Sequence, residues 1–322
     1  MSPRTDPGGT QGSGPARGRS GASPPGGGVL RAWWEGARPR TLGAGLVPVL
    51  VGTAAADARP DAWRPLAAAL VALGLQVGVN LANDYFDGVR GVDTPERLGP
   101  PRLVASGAAS PRAVAAAALA CVAVAGGAGL SLALATTLWL LPLGAAAMLA
   151  LALYSGGPRP YGSLGLGEVA VFLFFGLMAT CGTAYVLAGR VPGQAWWAGA
   201  ALGVLAVAIL VANNLRDIPT DARAGKRTLA VRLGERRTRT LYRSLLVAAY
   251  AVVVVGVLAG VRDPGAGLPR WALLPLASWP LAIRPFELAG RAAGRDLIPV
   301  LTGTALLHAA FGALLALGLW AA

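Results

Sequence analysis

The sequence predicts an all-α integral membrane protein that crosses the bilayer about nine times in a single bundle. Hydrophobic residues make up 55% of the 322 residues and charged residues only 13%, whereas about a quarter of a soluble globular chain is charged. Long uncharged runs alternate with charged loops, and the basic residues fall mostly on one side of the predicted spans. These three observations favour lipid as the solvent for most of the chain.

The predicted spans follow from the uncharged runs. Residues 113–158 form a run of 46 residues without a charge, which as one helix would extend for about 70 Å, against about 30 Å for the hydrocarbon core. We therefore expect this run to fold back near Thr136 and Thr137. The nine predicted spans are residues 41–57, 65–83, 112–134, 137–154, 164–188, 195–215, 241–261, 270–286 and 297–320.

The basic residues predict the orientation. A formal net charge of +13 would favour nucleic-acid binding in a soluble protein. With the N-terminus inside, however, 23 of the 28 Lys and Arg residues lie on the inner side. Positively charged loops stay in the cytoplasm, so the sequence predicts an inner N-terminus, an outer C-terminus after nine spans, and no nucleic-acid partner.

Two N-terminal segments precede the first span. Residues 1–28 are mostly Gly, Pro, Ser and Arg without an apolar block, which is typical of a disordered tail and not of a signal peptide. Residues 29–40 mix Trp33 and Trp34 with several arginines, which predicts a helix at the membrane interface. The domain proper is therefore expected to be residues 29–322.

A short internal repeat marks two predicted helix ends. Residues 81–87 read Leu-Ala-Asn-Asp-Tyr-Phe-Asp, and residues 211–217 read Val-Ala-Asn-Asn-Leu-Arg-Asp, 130 positions later. Both copies end a span on the inner side, and spans four apart run in the same direction. The repeat predicts that the two polar patches meet across the bundle.

Acidic residues concentrate in the two loops that follow the repeat. Asn80, Asn83, Asp84 and Asp87 share one helical stripe, and Asn213, Asp217 and Asp221 recur at steps of four. Carboxylates so close repel one another unless a cation lies between them, and hard oxygen ligands suit Mg²⁺. The sequence therefore predicts a magnesium and phosphate site, with the candidate metal ligands Asp84, Asp87, Asp93, Asp217 and Asp221.

Basic and polar residues beside these patches complete the candidate site. Lys226 is the single lysine among 28 basic residues, and its compact ammonium binds phosphate differently from the planar fork of Arg. Arg227 follows it directly, and Arg159 is the one cation in the loop between the patches; either residue is a candidate anion ligand or a topology charge. Glu168 begins a span and should point into the bundle.

The two acidic patches and the residues that follow them form two motifs, the first in α-helical span 2 and its loop and the second in span 6 and its loop. Together these motifs resemble those of the UbiA superfamily of intramembrane prenyltransferases, in particular its menaquinone branch. The resemblance rests on residues 83–93, 213–221 and 225–234 and extends over about 31–322. It implies a cavity open to lipid and Mg²⁺-dependent transfer of a polyprenyl group from its diphosphate to 1,4-dihydroxy-2-naphthoate, with loss of CO₂, to give demethylmenaquinone. The general first motif has a further Asp where Gly91 stands, and Asp93 follows two positions later, as in the menaquinone branch.

The resemblance also implies roles for the candidate residues. Lys226, Arg159 and Arg227 would act on the leaving diphosphate, at the cytoplasmic side of the cell membrane. The expected substrate-binding residues are Asn80, Asn83, Asn213, Tyr154 and Glu168.

Other functions stay open on the sequence alone. Within the prenyltransferases, 4-hydroxybenzoate is an alternative acceptor. A secondary transporter also uses repeats and carboxylates, but its sites lie near the bilayer midplane, whereas these acids follow the inner helix ends. Neither Cys121 nor Cys181 indicates a disulfide, because both lie in apolar spans, and one histidine cannot form a His-rich metal site.

Overall fold

Helices account for most of the architecture. The computed structural model describes residues 26–58, 61–91, 102–158 and 160–322, and within these ranges it contains no strand. The helices are α1 (Gly26–Ala37), α2 (Pro39–Ala55), α3 (Trp63–Val89), α4 (Pro111–Ala135), α5 (Leu140–Ser155), α6 (Gly167–Val171), α7 (Ala179–Ala188), α8 (Gly193–Arg223), α9 (Leu229–Arg262), α10 (Trp279–Arg291) and α11 (Ile298–Trp320).

Six helical stretches in the described residues are long and apolar enough to cross a membrane. Four of them are α3, α4, α8 and α9, the fifth is Gly167–Ala188, and the sixth is Gly294–Trp320. The chain is therefore an all-helical, multi-pass membrane protein. The reversal expected near Thr136 and Thr137 is confirmed, since α4 ends at Ala135 and α5 begins at Leu140.

Three of the nine predicted spans differ from this group. Helices α2 and α5 have 17 and 16 residues, or about 25 Å of rise, which is short for a full crossing. The eighth predicted span is a 3₁₀ segment, Arg270–Ser278, followed by α10. Pro275 lies inside the 3₁₀ segment, where it removes a backbone donor, and Pro280 stands in the first turn of α10, where proline is tolerated.

Small residues let the helices approach closely, as is usual in membrane bundles. A Cβ at Gly74 of α3 would stand 2.8 Å from the carbonyl oxygen of Cys121 in α4. A Cβ at Gly176 would stand 2.4 Å from the Cα of Gly203 in α8. Gly176 belongs to a π-helical segment, Phe172–Met178, that joins α6 to α7. Larger residues at these glycines would separate the helices.

Helix α8 is the centre of the bundle. Within its apolar window 72% of the residues are buried, against 17% for α4 at the periphery. Leu202 and Leu205 of α8 are fully buried, whereas Leu134 and Trp139, at the turn between α4 and α5, are 70% and 80% exposed. Large apolar side chains on the outside are expected where the surrounding solvent is lipid. The second motif therefore lies at the C-terminal end of α8, the most buried of these six stretches.

The N-terminal segments begin differently from the sequence expectation. Helix α1 starts at Gly26, within the last three residues of the predicted tail, and ends at Ala37. Arg38 then adopts a left-handed conformation, with φ of 56°, so the predicted 29–40 helix is divided between α1 and α2. Residues 1–25 lie outside the described residues, and the predicted disorder of the tail stays a prediction.

Candidate functional site

Asp84 holds a returning segment of chain against the end of α3. Its Oδ2 accepts the backbone N–H of Leu103 at 2.9 Å, and its Oδ1 accepts that of Val104 at 3.0 Å. Asp84 is only 1% exposed. A Cβ at Gly88 would stand 2.5 Å from the side chain of Val104, so the absence of a side chain at Gly88 allows this close approach.

Asp87 joins the two motifs through an ion pair. Its Oδ2 accepts a hydrogen bond from Nζ of Lys226 at 3.0 Å, across 139 residues of chain. Arg102 of the returning segment lies 3.8 Å from the same oxygen. Because Lys226 follows α8, this pair confirms that the two polar patches meet at one end of the bundle.

Asp217 is held within its own helix by Arg216. Nε and Nη2 of Arg216 donate to Oδ1 and Oδ2 of Asp217 at 2.6 and 2.7 Å, in a bidentate pair. Nη2 of Arg216 also donates to Oδ1 of Asn213 at 2.8 Å. Arg216 and Asp217 are 5% and 7% exposed. Charge-assisted bidentate bonds of this kind fix both side chains.

The loop after α5 closes one side of the site. The hydroxyl of Ser155 donates a short hydrogen bond to Oδ1 of Asn83, and Arg90 donates to the carbonyl oxygens of Ser155 and Gly157, each at 2.6 Å. Burial raises the pKa of Tyr161 to about 12, so its phenol stays protonated and donates to the carbonyl oxygen of Ala150 at 2.9 Å. These bonds tie the end of α3 to the loop.

Glu168 is buried beside α8 and does not reach the acidic patches. It is 7% exposed, and its Oε1 accepts a hydrogen bond from Nδ2 of Asn214 at 3.1 Å. The expectation that Glu168 points into the bundle is thus confirmed. In the sequence repeat, Asn214 stands at the position that Asp84 occupies in α3.

A cavity of about 1090 Å³ extends from the motif ends into the bundle. Most of its wall is apolar and comes from α2, α3, α5, α8 and the π-helical segment. Its polar wall residues on α3 and α8 are Gln76, Asn80, Asn83, Asp84, Asn213 and Arg216.

The cavity separates the predicted site residues into two groups. Its wall contains Asn80, Asn83, Asp84, Asn213 and Tyr154. The other described candidates are not part of the wall, namely Asp87, Asp217, Asp221, Lys226, Arg227 and Glu168. The two remaining candidates, Asp93 and Arg159, lie outside the described residues. Asp221 accepts the backbone N–H of Lys226 through its carbonyl oxygen at 2.9 Å.

The donor set suits a hard divalent cation, although the described acids are engaged by the protein itself. No group of three or more His, Cys, Asp or Glu side chains lies together within the described ranges. Lys226 and Arg216 neutralise Asp87 and Asp217, which is the charge that a metal would otherwise supply. Aspartate and asparagine oxygens are ligands of the type that Mg²⁺ accepts, so a metal at these residues would compete with Lys226 and Arg216 for the same carboxylates.

Several site residues were missed at the sequence level. Arg216 stands inside the second motif, so its position was a usable signal, but a basic residue in an inner loop is ordinarily a topology charge. Arg90 likewise stands inside the first motif, whereas Arg102 lies outside both motifs and gave no signal. Gln76 was visible as the first amide of α3, four residues ahead of Asn80.

Comparison with known proteins agrees with the motifs. Residues 45–295 match the model of the UbiA prenyltransferase family. The 1,4-dihydroxy-2-naphthoate octaprenyltransferase of Mycobacterium tuberculosis is 47% identical over 279 residues, which cover 85% of this chain and 91% of that protein. The protein of the same name from Escherichia coli is 34% identical and covers 88% and 92% of the two chains.

Solved structures share the fold. A UbiA homologue from Aeropyrum pernix superimposes with a TM-score of 0.65 at 20% identity, over 86% of this chain and 96% of that one. A UbiA homologue from Archaeoglobus fulgidus bound to GPP and Mg²⁺ gives a TM-score of 0.60 at 18% identity, over 89% and 99%. With its family model matched over most of its length, this chain belongs to the UbiA prenyltransferase family.

Proposed function

We propose that the chain transfers a polyprenyl group from a polyprenyl diphosphate to 1,4-dihydroxy-2-naphthoate, with loss of CO₂, to give demethylmenaquinol, the hydroquinone form of demethylmenaquinone. The observation that carries the proposal is the relation to 1,4-dihydroxy-2-naphthoate octaprenyltransferases at 47% and 34% identity over most of both chains. The meeting of the two acidic motifs at one end of an apolar cavity supports it.

The acids at the motif ends are proposed to hold the donor through Mg²⁺. The proposed ligands are Asp84, Asp87, Asp217 and Asp221, and Asp93 is a further candidate outside the described residues. When bound, Mg²⁺ neutralises the diphosphate and stabilises it as a leaving group. The Archaeoglobus homologue bound to GPP and Mg²⁺ supports a divalent metal in this fold.

The basic residues are proposed to take up the charge of the departing diphosphate. Lys226 lies 3.0 Å from Asp87, at the place where the two motifs meet, and Arg227 and Arg159 are the further candidates. The bond between the allylic carbon and oxygen breaks with its electron pair on the diphosphate. A cation at this place stabilises the charge that develops on the leaving group.

The cavity is proposed to protect the allylic cation and to orient the acceptor. Its apolar wall excludes water that would quench the cation, and the isoprenoid tail extends toward lipid. The electron-rich ring attacks the allylic carbon and then loses its carboxyl group as CO₂. The proposed polar contacts to the substrates come from Asn80, Asn83, Asn213, Tyr154 and Glu168.

The membrane arrangement completes the proposal. We infer nine crossings of the cell membrane, with α2, α5 and the 270–291 region as the shorter ones. The N-terminus lies inside, the C-terminus lies outside, and the active site faces the cytoplasm. The catalytic domain is 29–322, with 29–40 at the interface and 1–28 as a dispensable tail. The distribution of 23 of the 28 basic residues supports this orientation.

An assay of the purified protein tests the function. With a polyprenyl diphosphate and Mg²⁺, we expect prenylation of 1,4-dihydroxy-2-naphthoate with release of CO₂, and loss of turnover in excess EDTA. For 4-hydroxybenzoate we expect kcat/KM to be at least about tenfold lower, because one ring fills a two-ring pocket poorly. Equal use of 4-hydroxybenzoate, or a product that keeps its carboxyl group, would contradict the proposed acceptor.

A further inference from the structure

Gln76 is a polar residue in the wall of the cavity, away from the acidic motifs. It lies on α3, seven residues before Asn83, or about 10 Å along the helix from the motif. It is 6% exposed and lines the same cavity as Asn80 and Asn83. The stretch of α3 around it is otherwise apolar, so the amide needs a separate explanation.

Among the described residues, Gln76 makes one long hydrogen bond through its amide nitrogen and none through its amide oxygen. The hydroxyl of Thr41 donates its proton to the carbonyl oxygen of Arg38 at 3.0 Å, which leaves a lone pair on Oγ1 for the amide of Gln76. Nε2 of Gln76 donates to this Oγ1 at 3.5 Å. Oε1 of Gln76 is fully buried and has no hydrogen-bond partner among the described residues.

A buried carbonyl oxygen without a donor is costly, and the cost is relieved when a ligand supplies an O–H or N–H. The isoprenoid tail of the donor substrate has neither group. The proposed acceptor has two ring hydroxyls. Its 1-hydroxyl is adjacent to the carboxylate and bonds to it internally, whereas its 4-hydroxyl is free to donate outward.

We infer that Oε1 of Gln76 accepts a hydrogen bond from the 4-hydroxyl of 1,4-dihydroxy-2-naphthoate and forms a subsite that orients the acceptor ring. The inference rests on the proposed function and extends it to one residue. The carbonyl dipole of Gln76 disfavours the carboxylate at this position. The subsite therefore turns the carboxylate away from Gln76 and leaves the carboxyl-bearing carbon to face the prenyl donor near the motifs.

Binding measurements with paired ligands and variants test the subsite. The ligands are 1,4-dihydroxy-2-naphthoate and 1-hydroxy-2-naphthoate, which lacks only the 4-hydroxyl. The wild type should bind the second ligand about 3–10-fold more weakly, the range of one neutral hydrogen bond. Gln76→Met keeps the length of the side chain and removes the acceptor oxygen, so it should bind both ligands equally. The KM for the polyprenyl diphosphate should not change.

Gln194→Met is the matched control. Gln194 donates to the carbonyl oxygen of Ala55 at 3.0 Å and is not in the cavity wall, so this variant should keep the wild-type preference. If Gln76→Met kept the preference too, the subsite assignment would be wrong.

The affinities of the wild-type protein for the two ligands test the inference even if Gln76→Met does not insert into the membrane. Equal affinity of the wild-type protein for the two ligands would overturn the inference directly. Absence of any prenyl transfer to 1,4-dihydroxy-2-naphthoate would instead overturn the proposed function, and the two failures are therefore distinguishable.

Discussion

Replacing Asp84 by Asn removes one of two adjacent backbone hydrogen bonds and tests how the returning segment is held. In the wild type both carboxylate oxygens accept backbone N–H groups, from Leu103 at 2.9 Å and from Val104 at 3.0 Å. The asparagine amide keeps one acceptor oxygen and turns an NH₂ donor toward the other N–H. The change thus leaves one buried backbone donor without an acceptor.

The magnitude follows from the charge and burial of Asp84. A hydrogen bond to a charged acceptor contributes about 1.5–3 kcal/mol, which corresponds to about a 10–150-fold change in an equilibrium constant. Asp84 is only 1% exposed, so water does not replace the lost acceptor. We expect the equilibrium constant for detachment of the Leu103–Val104 segment from α3 to rise by this factor.

Hydrogen exchange followed by mass spectrometry measures the effect. The amides of Leu103 and Val104 should exchange about 10–150-fold faster in Asp84→Asn, and turnover should fall as well. Asp57→Asn is the matched control, since Asp57 is exposed and remote from the motifs. Unchanged exchange at both amides, with the protein folded and inserted, would refute the reasoning. Loss of turnover with unchanged exchange would favour a metal ligand at this position.

Three further predictions address the motifs and the membrane orientation. Asp87→Asn and Asp217→Asn should each abolish Mg²⁺-dependent turnover without unfolding the protein, because loss of a charged ligand costs several kcal/mol of transition-state stabilisation; near-normal activity in either would contradict the metal assignment. Lys226→Arg should lower turnover more than Arg227→Lys does, because a planar guanidinium does not replace an ammonium; the reverse order would identify Arg227 as the important cation. Single cysteines in 222–240, in a background without the two native ones, should react only with reagents applied from the cytoplasmic side, and labelling from outside would invert the topology.

Local hydrophobicity was sufficient to predict most of the helices. The predicted spans 65–83, 112–134, 195–215 and 241–261 lie within α3, α4, α8 and α9, because a long uncharged segment in lipid satisfies its backbone bonds only as a helix. Helix α9 begins earlier, at Leu229, and its charged first part has non-helical backbone angles at Gly234. The 270–286 region was predicted less well. Its composition is apolar, but it forms a 3₁₀ segment that contains Pro275, followed by the shorter helix α10, and a hydropathy pattern does not distinguish this arrangement from one long helix.

The meeting of the motifs was predictable, but their contacts were not. The repeat places both patches at equivalent helix ends, and the pair between Lys226 and Asp87 confirms that they meet. The bonds from Asp84 depend on where Leu103 and Val104 return in space, 19 and 20 residues later. No periodicity in the sequence encodes such a return. An aspartate that binds backbone N–H groups of a loop and an aspartate that binds a metal therefore have the same local sequence pattern.

The pairing of the acids with Lys226 and Arg216 has a thermodynamic consequence for substrate uptake. In this arrangement the cations screen Asp87 and Asp217, which allows the bundle to assemble without burying uncompensated negative charge. Under the proposed function, the same two side chains become available to an anion once their carboxylates turn to a metal. Metal and diphosphate should therefore strengthen each other's binding, and by linkage the enhancement is reciprocal. Neither ligand alone should bind as tightly as it does in the presence of the other.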